Sequence, residues 1–416
     1  MEVVHRRCCG LDVHKKSVVA CVLLSDPSGP PQREVRTFGT FTHEVLALAD
    51  WLAEQQVTHI ALESTGVYWK PIWNLLEDRF ALLLVNPRHI KAVPGRKTDV
   101  HDAEWLAELL RHGLLTPSFV PDRAQRELRE LTRYRTSLIN ERSAAVNRLQ
   151  KTLEGANIKL ASVASDVLGV SSRQMLAAVV DGTTLEASAL AELAHGQLRD
   201  KVPQLEHALS GRVGPHQRFL LAEQLAHIDA LDASLERLST EIAERMRPFD
   251  ELIERLDAIP GVGRTVAEVL LAEIGADMTR FPTANHLVSW AGMCPGHNES
   301  AGKKRSGKTR KGSPWLRAAL VQAAHAAARA KQTYLAAQYR RLTARRGTKK
   351  AAVAVGHSIL VIVYHLLTDP DCPYFDLGAT YFDQRDPGAV QRRLIHRLEA
   401  LGYHVQVTPL AESSAA

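Results

Sequence analysis

The N-terminal part of the chain alternates between short apolar runs and amphipathic helical patterns. The strand-like runs are residues 8–13, 18–24, 34–41, 59–63 and 81–85. The helical patterns are residues 42–55, 67–78 and 99–112. Because strands that alternate with helices fold as α/β layers, we predict an α/β domain with a mixed sheet over residues 1–118.

From residue 122 onward the apolar positions recur at helical spacing. Two segments approach a heptad pattern, with apolar positions at Leu128, Leu131, Leu138, Ala145, Leu149 and at Ile228, Leu231, Leu235, Leu238, Ile242. This repeat predicts two long helices that form an antiparallel arm or a coiled-coil dimerisation segment, placed in residues 119–250. Two ordinary amphipathic core helices would give the same pattern. Residues 155–215 between them carry no recognisable motif.

Residues 251–368 make a third predicted unit, which is mainly α-helical, and residues 369–416 make a polar tail. The third unit opens with Leu256–Gly263, followed by a helical pattern, which is typical of a helix-hairpin-helix. Its glycines, Gly261 and Gly263, would let backbone N–H groups approach a phosphate at a helix N-terminus. A plain tight turn between two helices would explain the same residues.

The distribution of charge along the chain is more informative about binding partners than the net charge. The chain of 416 residues carries a formal net charge of +6 and has a pI near 9.1. Residues 301–350 hold fifteen Lys and Arg and no Asp or Glu, which leaves −9 on the rest of the chain. A solvated helical face usually carries both signs, so this block indicates a surface that tracks nucleic-acid phosphates.

Cysteine usage and the apolar stretches argue against a secreted or membrane-spanning protein. The five cysteines show no C-x-x-C pairing, and we expect them to be reduced in a cytoplasmic, nucleoid-associated bacterial protein. The first residues run directly into a strand pattern, so we expect no signal peptide. The stretch 351–368 is interrupted by Gly356, His357 and His365, which favours a buried helix over a membrane span.

Four carboxylates fall at positions where strand ends and a helix start would meet. Asp12 ends the first strand, and Glu63 ends the strand 59–63. Asp99 and Asp102 lie about one turn apart at the start of a helix. Acids this close repel one another unless a hard cation lies between them, and Mg²⁺ prefers such oxygen ligands. Taken singly, each acid has a structural explanation as a turn cap, a surface residue or a helix cap.

Three short motifs surround these acids. They are Gly10–Lys15 (GLDVHK), Ala61–Gly66 (ALESTG) and Lys97–Ala103 (KTDVHDA). Together they resemble the DEDD transposases of the IS110 insertion-sequence family, over about residues 8–112 and again over about 252–330. The resemblance implies an RNase H-like N-terminal fold, similar to that of Holliday-junction resolvases. It also implies that Asp12, Glu63, Asp99 and Asp102 hold Mg²⁺.

The C-terminal part carries a second motif. It runs from Gly292 and Pro295 through Ser300 to a basic segment with Lys303, Lys304, Arg305, Lys308, Arg310, Lys311 and Arg317. A glycine-rich basic segment suits close contact with a DNA backbone. The order of these residues (glycine, proline, serine and then basic residues) resembles that in the same family's C-terminal domain, in which a serine forms a covalent link to a DNA end. The resemblance therefore implies this nucleophilic role for Ser300.

The identity of the serine has one open alternative. The spacing from Pro295 points to Ser300, but Ala301 follows it where the family usually has glycine. Ser306 is followed by Gly307 and matches that dipeptide, although it lies too far from Pro295. We favour Ser300 on its spacing.

The resulting hypothesis is a transposase that cuts and rejoins DNA strands through a phosphoserine intermediate with Mg²⁺. The resemblance further implies guidance by a bridge RNA and a homo-oligomer, a dimer or tetramer, in which the acids of one subunit serve the serine of another. One alternative is a stand-alone Holliday-junction-resolvase-like endonuclease, which needs the acids but not Ser300. A second is a non-catalytic DNA-binding protein, which Mg²⁺ dependence would separate from both enzymes. No membrane partner is expected.

Overall fold

The computed structural model describes most of the chain and divides it into two compact units. Unit 1 is Met1–Pro121 and unit 2 is Asp122–Ala416. The described residues are 2–25, 29–64, 66–86, 102–182, 186–296, 299–300, 303–304 and 307–408, with the backbone alone described at 299–300 and 303–304. Asp99, Arg305 and Ser306, which the sequence analysis singled out, lie outside these residues.

Unit 1 is built on a mixed sheet. Its strands are β1 (Arg7–Val13), β2 (Ser17–Leu24), β3 (Gln32–Gly39), β4 (His59–Glu63) and β5 (Ala81–Val85), in the order β3-β2-β1-β4-β5. The first three strands are antiparallel neighbours, whereas β1, β4 and β5 run parallel. The helices are α1 (Thr42–Glu54), α2 (Trp69–Leu76) and α3 (Asp102–Arg111). This confirms the predicted α/β domain with a mixed sheet.

Helices cover both faces of the sheet, because alternate residues of each strand point to opposite sides. Leu11 and Val13 of β1 are buried in a core with α1 and α2. Gly10 lies on the other face, where a Cβ would lie 2.6 Å from the Ala107 nitrogen and nearer still to the Ala103 oxygen. The absence of a side chain at this position therefore lets the backbone of α3 pack directly onto β1.

Two long helices form the first part of unit 2. They are α4 (Arg123–Gly155) and α9 (Pro215–Met246), and contacts between them join Glu127 to Arg245, Arg142 to Asp232 and Thr152 to Gln224. Since later residues of α4 meet earlier residues of α9, the helices pack antiparallel. Short helices pack against the same core: α5 (Leu160–Val163), α6 (Val170–Asp181), α7 (Ala187–Ala191) and α8 (Val202–Leu209). A coiled coil in this region stays a prediction.

The rest of unit 2 is helical and surrounds one apolar core. Its helices are α10 (Asp250–Asp257), α11 (Arg264–Ile274), α12 (Ala284–Trp290), α13 (Pro314–Ala327), α14 (Tyr334–Arg346) and α15 (Thr348–Thr368). A short hairpin, β6 (Glu299–Ser300) and β7 (Lys303–Lys304), comes between α12 and α13 in the chain. The tail contains α16 (Tyr381–Arg385) and α17 (Pro387–Glu399). The mainly helical C-terminal region is as predicted.

The apolar stretch 351–368 lies within α15. Among the described helices, α15 is the one long and apolar enough to cross a membrane, with a mean hydropathy of 1.8, and half of that stretch is buried. Val355, Ile359 and Val363 lie in the core of unit 2. These apolar side chains of α15 therefore pack against other helices of the same unit.

Ion pairs to two buried carboxylates join α4 to α11. Arg135 Nη1 lies 2.6 Å from Glu268 Oε2, and the two side chains are 5% and 4% exposed. Arg133 donates two hydrogen bonds to the Glu273 carboxylate, at 2.6 and 2.9 Å. Ser313, the N-cap of α13, donates a third at 3.0 Å. Because an unpaired buried charge is costly, these contacts fix the position of α4 on the C-terminal core.

Replacing Gly10 with alanine should destabilise unit 1. The added Cβ would meet the backbone of α3, so we expect the free energy of unfolding to fall by about 1–3 kcal/mol. Urea-induced unfolding followed by circular dichroism measures the change. Gly29→Ala is the matched control, because a Cβ there would meet no described atom within 4 Å. Equal stability of the two variants would contradict the close packing of α3 on β1.

Replacing Glu268 with glutamine should destabilise unit 2, because Arg135 would keep its buried charge without a carboxylate partner. Loss of one partner of a buried ion pair costs about 3–5 kcal/mol. Glu241→Gln is the control, since Glu241 pairs with Arg245 at 2.6 Å where both side chains are 40% or more exposed. A surface pair contributes about 1 kcal/mol or less. Thermal unfolding compares the variants, and equal shifts would show that the buried pair is not a principal contact.

Candidate functional site

Asp12 and Glu63 lie side by side at the ends of two parallel strands. In the pairing of β1 with β4, Leu11 lies opposite Leu62, so Asp12 and Glu63 follow in the same register. Neighbouring strands are about 4.8 Å apart, which is within reach of two carboxylate side chains. Leu11 and Leu62 point into the core with α1 and α2. The two acids, one residue further on, therefore lie on the face that α3 covers.

Asp102 lies at the same end of the sheet. It is the first residue of α3, and Arg111 is the last. The Arg111 oxygen accepts hydrogen bonds from the Val4 and His5 nitrogens, at 2.9 and 3.1 Å, just before β1 begins. The helix therefore runs antiparallel to β1, and its N-terminus lies where β1 and β4 end. Asp99, the fourth predicted acid, lies outside the described residues.

The side chains at this end of the sheet suit a hard cation. Carboxylate oxygens are the ligands that Mg²⁺ prefers. Thiols on β1 and β2 do not compete, because burial raises the pKa of Cys8 and of Cys21 to about 12. His14 Nε2 lies 2.9 Å from Asp12 Oδ2. Within the described ranges no three His, Cys, Asp or Glu side chains are grouped as metal ligands, so the ligand set stays a prediction.

Ser300 lies on the short hairpin, where its backbone pairs with that of Lys303. The hairpin is also bridged at its base, where Pro295 pairs with Thr309. Ser300 is the last residue of β6 and lies at the opposite end of the hairpin from this base. The alternative nucleophile, Ser306, lies outside the described residues. The choice between the two serines therefore rests on the spacing in the sequence.

Arg317 of α13 holds the base of this hairpin. Its Nη1 donates to Thr309 Oγ1 at 2.8 Å and to the Gly292 oxygen at 3.3 Å. Gly292 has a φ of +68°, and a Cβ there would lie 2.7 Å from the Gly312 nitrogen, so this position requires glycine. The exposed cations next to the base are Lys308, Arg310 and Lys311. Arg317 thus has a structural role, and its contact with nucleic acid stays a prediction.

The turn between α10 and α11 contains the two glycines of the predicted helix-hairpin-helix. Gly261 has a φ of +89°, and a Cβ there would lie 2.5 Å from the Ala327 nitrogen at the end of α13. Packing within unit 2 therefore explains this glycine. Gly263 is the N-cap of α11, and a Cβ there would meet a single described atom, Asp257 Oδ1, at 4.0 Å. The N-terminus of α11 is accessible, and the predicted phosphate contacts stay predictions.

A second group of candidate cations, which was not predicted from the sequence, lies on the tail helix α17. Arg392, Arg393 and Arg397 are exposed there. The sequence of residues 369–416 has the composition of a polar appendage, because it contains both acidic residues and arginines. The signal that could have identified the group is the recurrence of arginine at helical spacing over residues 385–397.

Two family models match the chain in these same regions. Residues 9–158 match the model for DEDD transposases of the IS110 type, which is described as a transposase. Residues 253–340 match the model described as the transposase IS116/IS110/IS902 family. The first match contains Asp12, Glu63, Asp99 and Asp102, and the second contains the Ser300 hairpin and α13.

Relatives extend the similarity over longer stretches. A Pseudomonas aeruginosa protein named "Probable family 20 transposase" is 27% identical over 320 residues, 75% of this chain and 85% of that protein. The transposase for insertion sequence element IS1111A of Coxiella burnetii is 25% identical over 296 residues, 68% of this chain and 71% of that protein. An IS116 protein of Streptomyces clavuligerus is 27% identical over 241 residues, 52% of this chain and 60% of that protein. With both family models matched in chain order, the chain belongs to the IS110 family of insertion-sequence transposases.

Proposed function

We propose that this transposase cuts and rejoins DNA through a covalent phosphoserine, with Ser300 as nucleophile and Asp12, Glu63, Asp99 and Asp102 as ligands of Mg²⁺. The observation that carries the proposal is the register of β1 and β4, which puts Asp12 beside Glu63 at the end of the sheet where α3 begins. On the same grounds we assign unit 1 to the RNase H-like nucleases.

The acids need a cation for an electrostatic reason. Carboxylates that meet at one end of a sheet repel one another and would also repel a DNA phosphate. Mg²⁺, when bound there, would neutralise the phosphate and stabilise the charge that develops on its oxygens. Asp12, Glu63 and Asp102 would hold the ion through carboxylate oxygens, and His14 would orient Asp12.

Ser300 would supply the nucleophile. Its proton leaves as the bond between Oγ and a DNA phosphorus forms, and the displaced deoxyribose oxygen takes up a proton as its P–O bond breaks. Rejoining reverses these steps, so that a deoxyribose hydroxyl attacks the phosphoserine and releases the serine. Lys303, Lys304 and Arg305 would neutralise the phosphate oxygens, and Arg317 would hold the hairpin in place.

We extend the proposal to RNA guidance and to a homo-oligomer, a dimer or tetramer. The acid-free block of residues 301–350 suits RNA phosphates as well as those of the element ends and the target DNA. The acids belong to unit 1 and the serine to unit 2, which suits a site shared between subunits. Tyr134 and Ile139 of α4 are 57% and 36% exposed and offer apolar contacts to a second copy.

Asp12→Asn and Glu63→Gln should each abolish Mg²⁺-dependent strand cleavage while DNA binding is largely kept, because the cations bind DNA. We expect a loss of about a hundredfold or more in cleavage rate, as when one group that stabilises transition-state charge is removed. Cleavage of labelled junction DNA measures the rate. Asp50→Asn is the control, since Asp50 is an exposed acid of α1 that pairs with Arg79 on the surface. Wild-type rates in either ligand variant would refute the assignment.

A covalent intermediate should accumulate on DNA that carries the element's junction. The transposase is incubated with Mg²⁺, labelled junction DNA and any co-expressed RNA, and label that survives denaturation is measured. We expect trapped label that is lost in Ser300→Ala and kept in Ser306→Ala, because the hydroxyl of Ser300 forms the bond to phosphorus. Loss in Ser306→Ala alone would reassign the nucleophile. Cleavage without any covalent species would point to water and favour the resolvase-like alternative.

A further inference from the structure

The tail of unit 2 forms one wall of a groove on its surface. The other wall is α14, and the tail contributes α16 and α17. The groove has a volume of about 670 Å³, and its polar and aromatic lining includes Arg340, Arg341, Arg345, Phe382, Asp383 and Arg393. We call it the tail groove. None of its lining residues belongs to the hairpin region 295–309 that carries Ser300.

Each wall presents one face of a helix to the groove. On α14 the lining positions recur at spacings of three and four, and they are Ala337, Arg340, Arg341, Ala344 and Arg345. On α17 and at its N-cap they are Asp386, Ala389, Val390 and Arg393. The alanines keep the groove open because they fill little space, and the arginines supply donors along it.

The tail is attached to α14 by specific contacts. Phe382 stacks on Tyr334, with ring centroids 5.2 Å apart, and the Arg341 guanidinium lies 5.0 Å from the centroid of Phe382. Asp376 accepts a hydrogen bond from the Tyr334 nitrogen at 2.8 Å. These contacts fix α16 beside α14, so the groove is part of the folded unit.

Positive charge dominates the surroundings of the tail groove. Residues 340–350 and 385–397 together carry ten Lys and Arg and one acid, Asp386. Asp386 caps α17, accepting a hydrogen bond from the Ala389 nitrogen at 2.9 Å, and Asp383 is the other acid in the lining. In the part of the chain that the structure describes, none of the ten cations forms an ion pair. Their charge is therefore available to an external anion.

We propose that the tail groove binds the phosphodiester backbone of a nucleic acid, as a second contact surface besides the Ser300 hairpin. Arginine matches this ligand because its planar guanidinium donates two hydrogen bonds at once to phosphate oxygens. Four arginines line the groove from α14 and α17, and six further Lys and Arg lie in the neighbouring segments. This arrangement suits a repeating anion better than a single one. The proposal rests on the proposed function in needing a nucleic acid as partner, but it requires neither the serine chemistry nor Mg²⁺.

The test is the salt dependence of binding by the full-length transposase. The variant Arg340→Gln/Arg345→Gln/Arg393→Gln removes three exposed cations and leaves Arg341 on Phe382. The probes are a DNA duplex and an RNA duplex of unrelated sequence, which lack element ends and so are not cleaved. We expect the slope of log K against log salt for DNA to fall by about two to three, because each phosphate contact contributes about 0.9. A loss confined to one probe identifies which nucleic acid the groove holds.

Two controls make the result specific to the groove. Arg148→Gln/Lys151→Gln/Arg199→Gln, called the arm variant, removes three exposed cations from the helical region that precedes α10, and its slope should stay at the wild-type value. Asp383→Asn removes an acid from the groove and should strengthen binding. Circular dichroism confirms that the variants are folded.

The remaining outcomes would refute either the groove alone or both the groove and the proposed function. A wild-type slope in the groove variant, or an equal loss in the arm variant, would refute the groove as a binding surface while the proposed function stands. Failure of the wild-type protein to bind either duplex would refute both. Binding to vesicles of anionic phospholipid that is lost in the groove variant, with DNA and RNA binding unchanged, would assign the groove to a membrane surface instead.

Discussion

The ion pairs between α4 and α11 connect three parts of unit 2. Glu273 is almost fully buried, and its carboxylate binds both Arg133 of α4 and Ser313 at the start of α13. Through Ser313 this contact fixes the start of α13, and α13 carries Arg317, which holds the base of the Ser300 hairpin. A carboxylate without partners could not remain buried there. The Arg133–Glu273 pair therefore connects α4, the C-terminal core and the hairpin.

Unit 1 depends on a steric constraint. The backbone of α3 contacts β1 at Gly10, so the helix can approach the sheet closely along one line. That approach positions α3 on the sheet, and hence its first residue, Asp102, relative to the ends of β1 and β4. The register of those strands independently sets Asp12 beside Glu63. The position of the acids is therefore a consequence of backbone packing, and no acid needs to bind another to be held there.

The local hydrophobic pattern predicted unit 1 well, because the residues of a strand themselves indicate where it ends, as at Asp12 and Glu63. The sequence pattern could not explain Gly261. A glycine that lets a phosphate approach the backbone and a glycine that lets a neighbouring helix pack closely look the same in sequence. The fold identifies the neighbour as Ala327. The tail groove was missed for a similar reason, because α14 and α17 line the same groove although α15 and α16 lie between them in the chain. Arg345 and Arg393 face one groove although no local period relates them.

Charge is divided unevenly between the segment proposed to bind nucleic acid and the unit proposed to cut it. Residues 301–350 carry fifteen positive charges and no acid, whereas unit 1, which holds the acids at the end of the sheet, has thirteen Lys and Arg against fourteen Asp and Glu. Those acids alone would repel a phosphate, so we expect affinity to come mainly from the basic block of unit 2 and a cation to offset the repulsion in unit 1. Monovalent salt should therefore act mainly on binding, and the divalent ion mainly on cleavage. Under the proposed mechanism, the transposase holds nucleic acid without cutting it until the metal-bound acids and the serine meet the same phosphate.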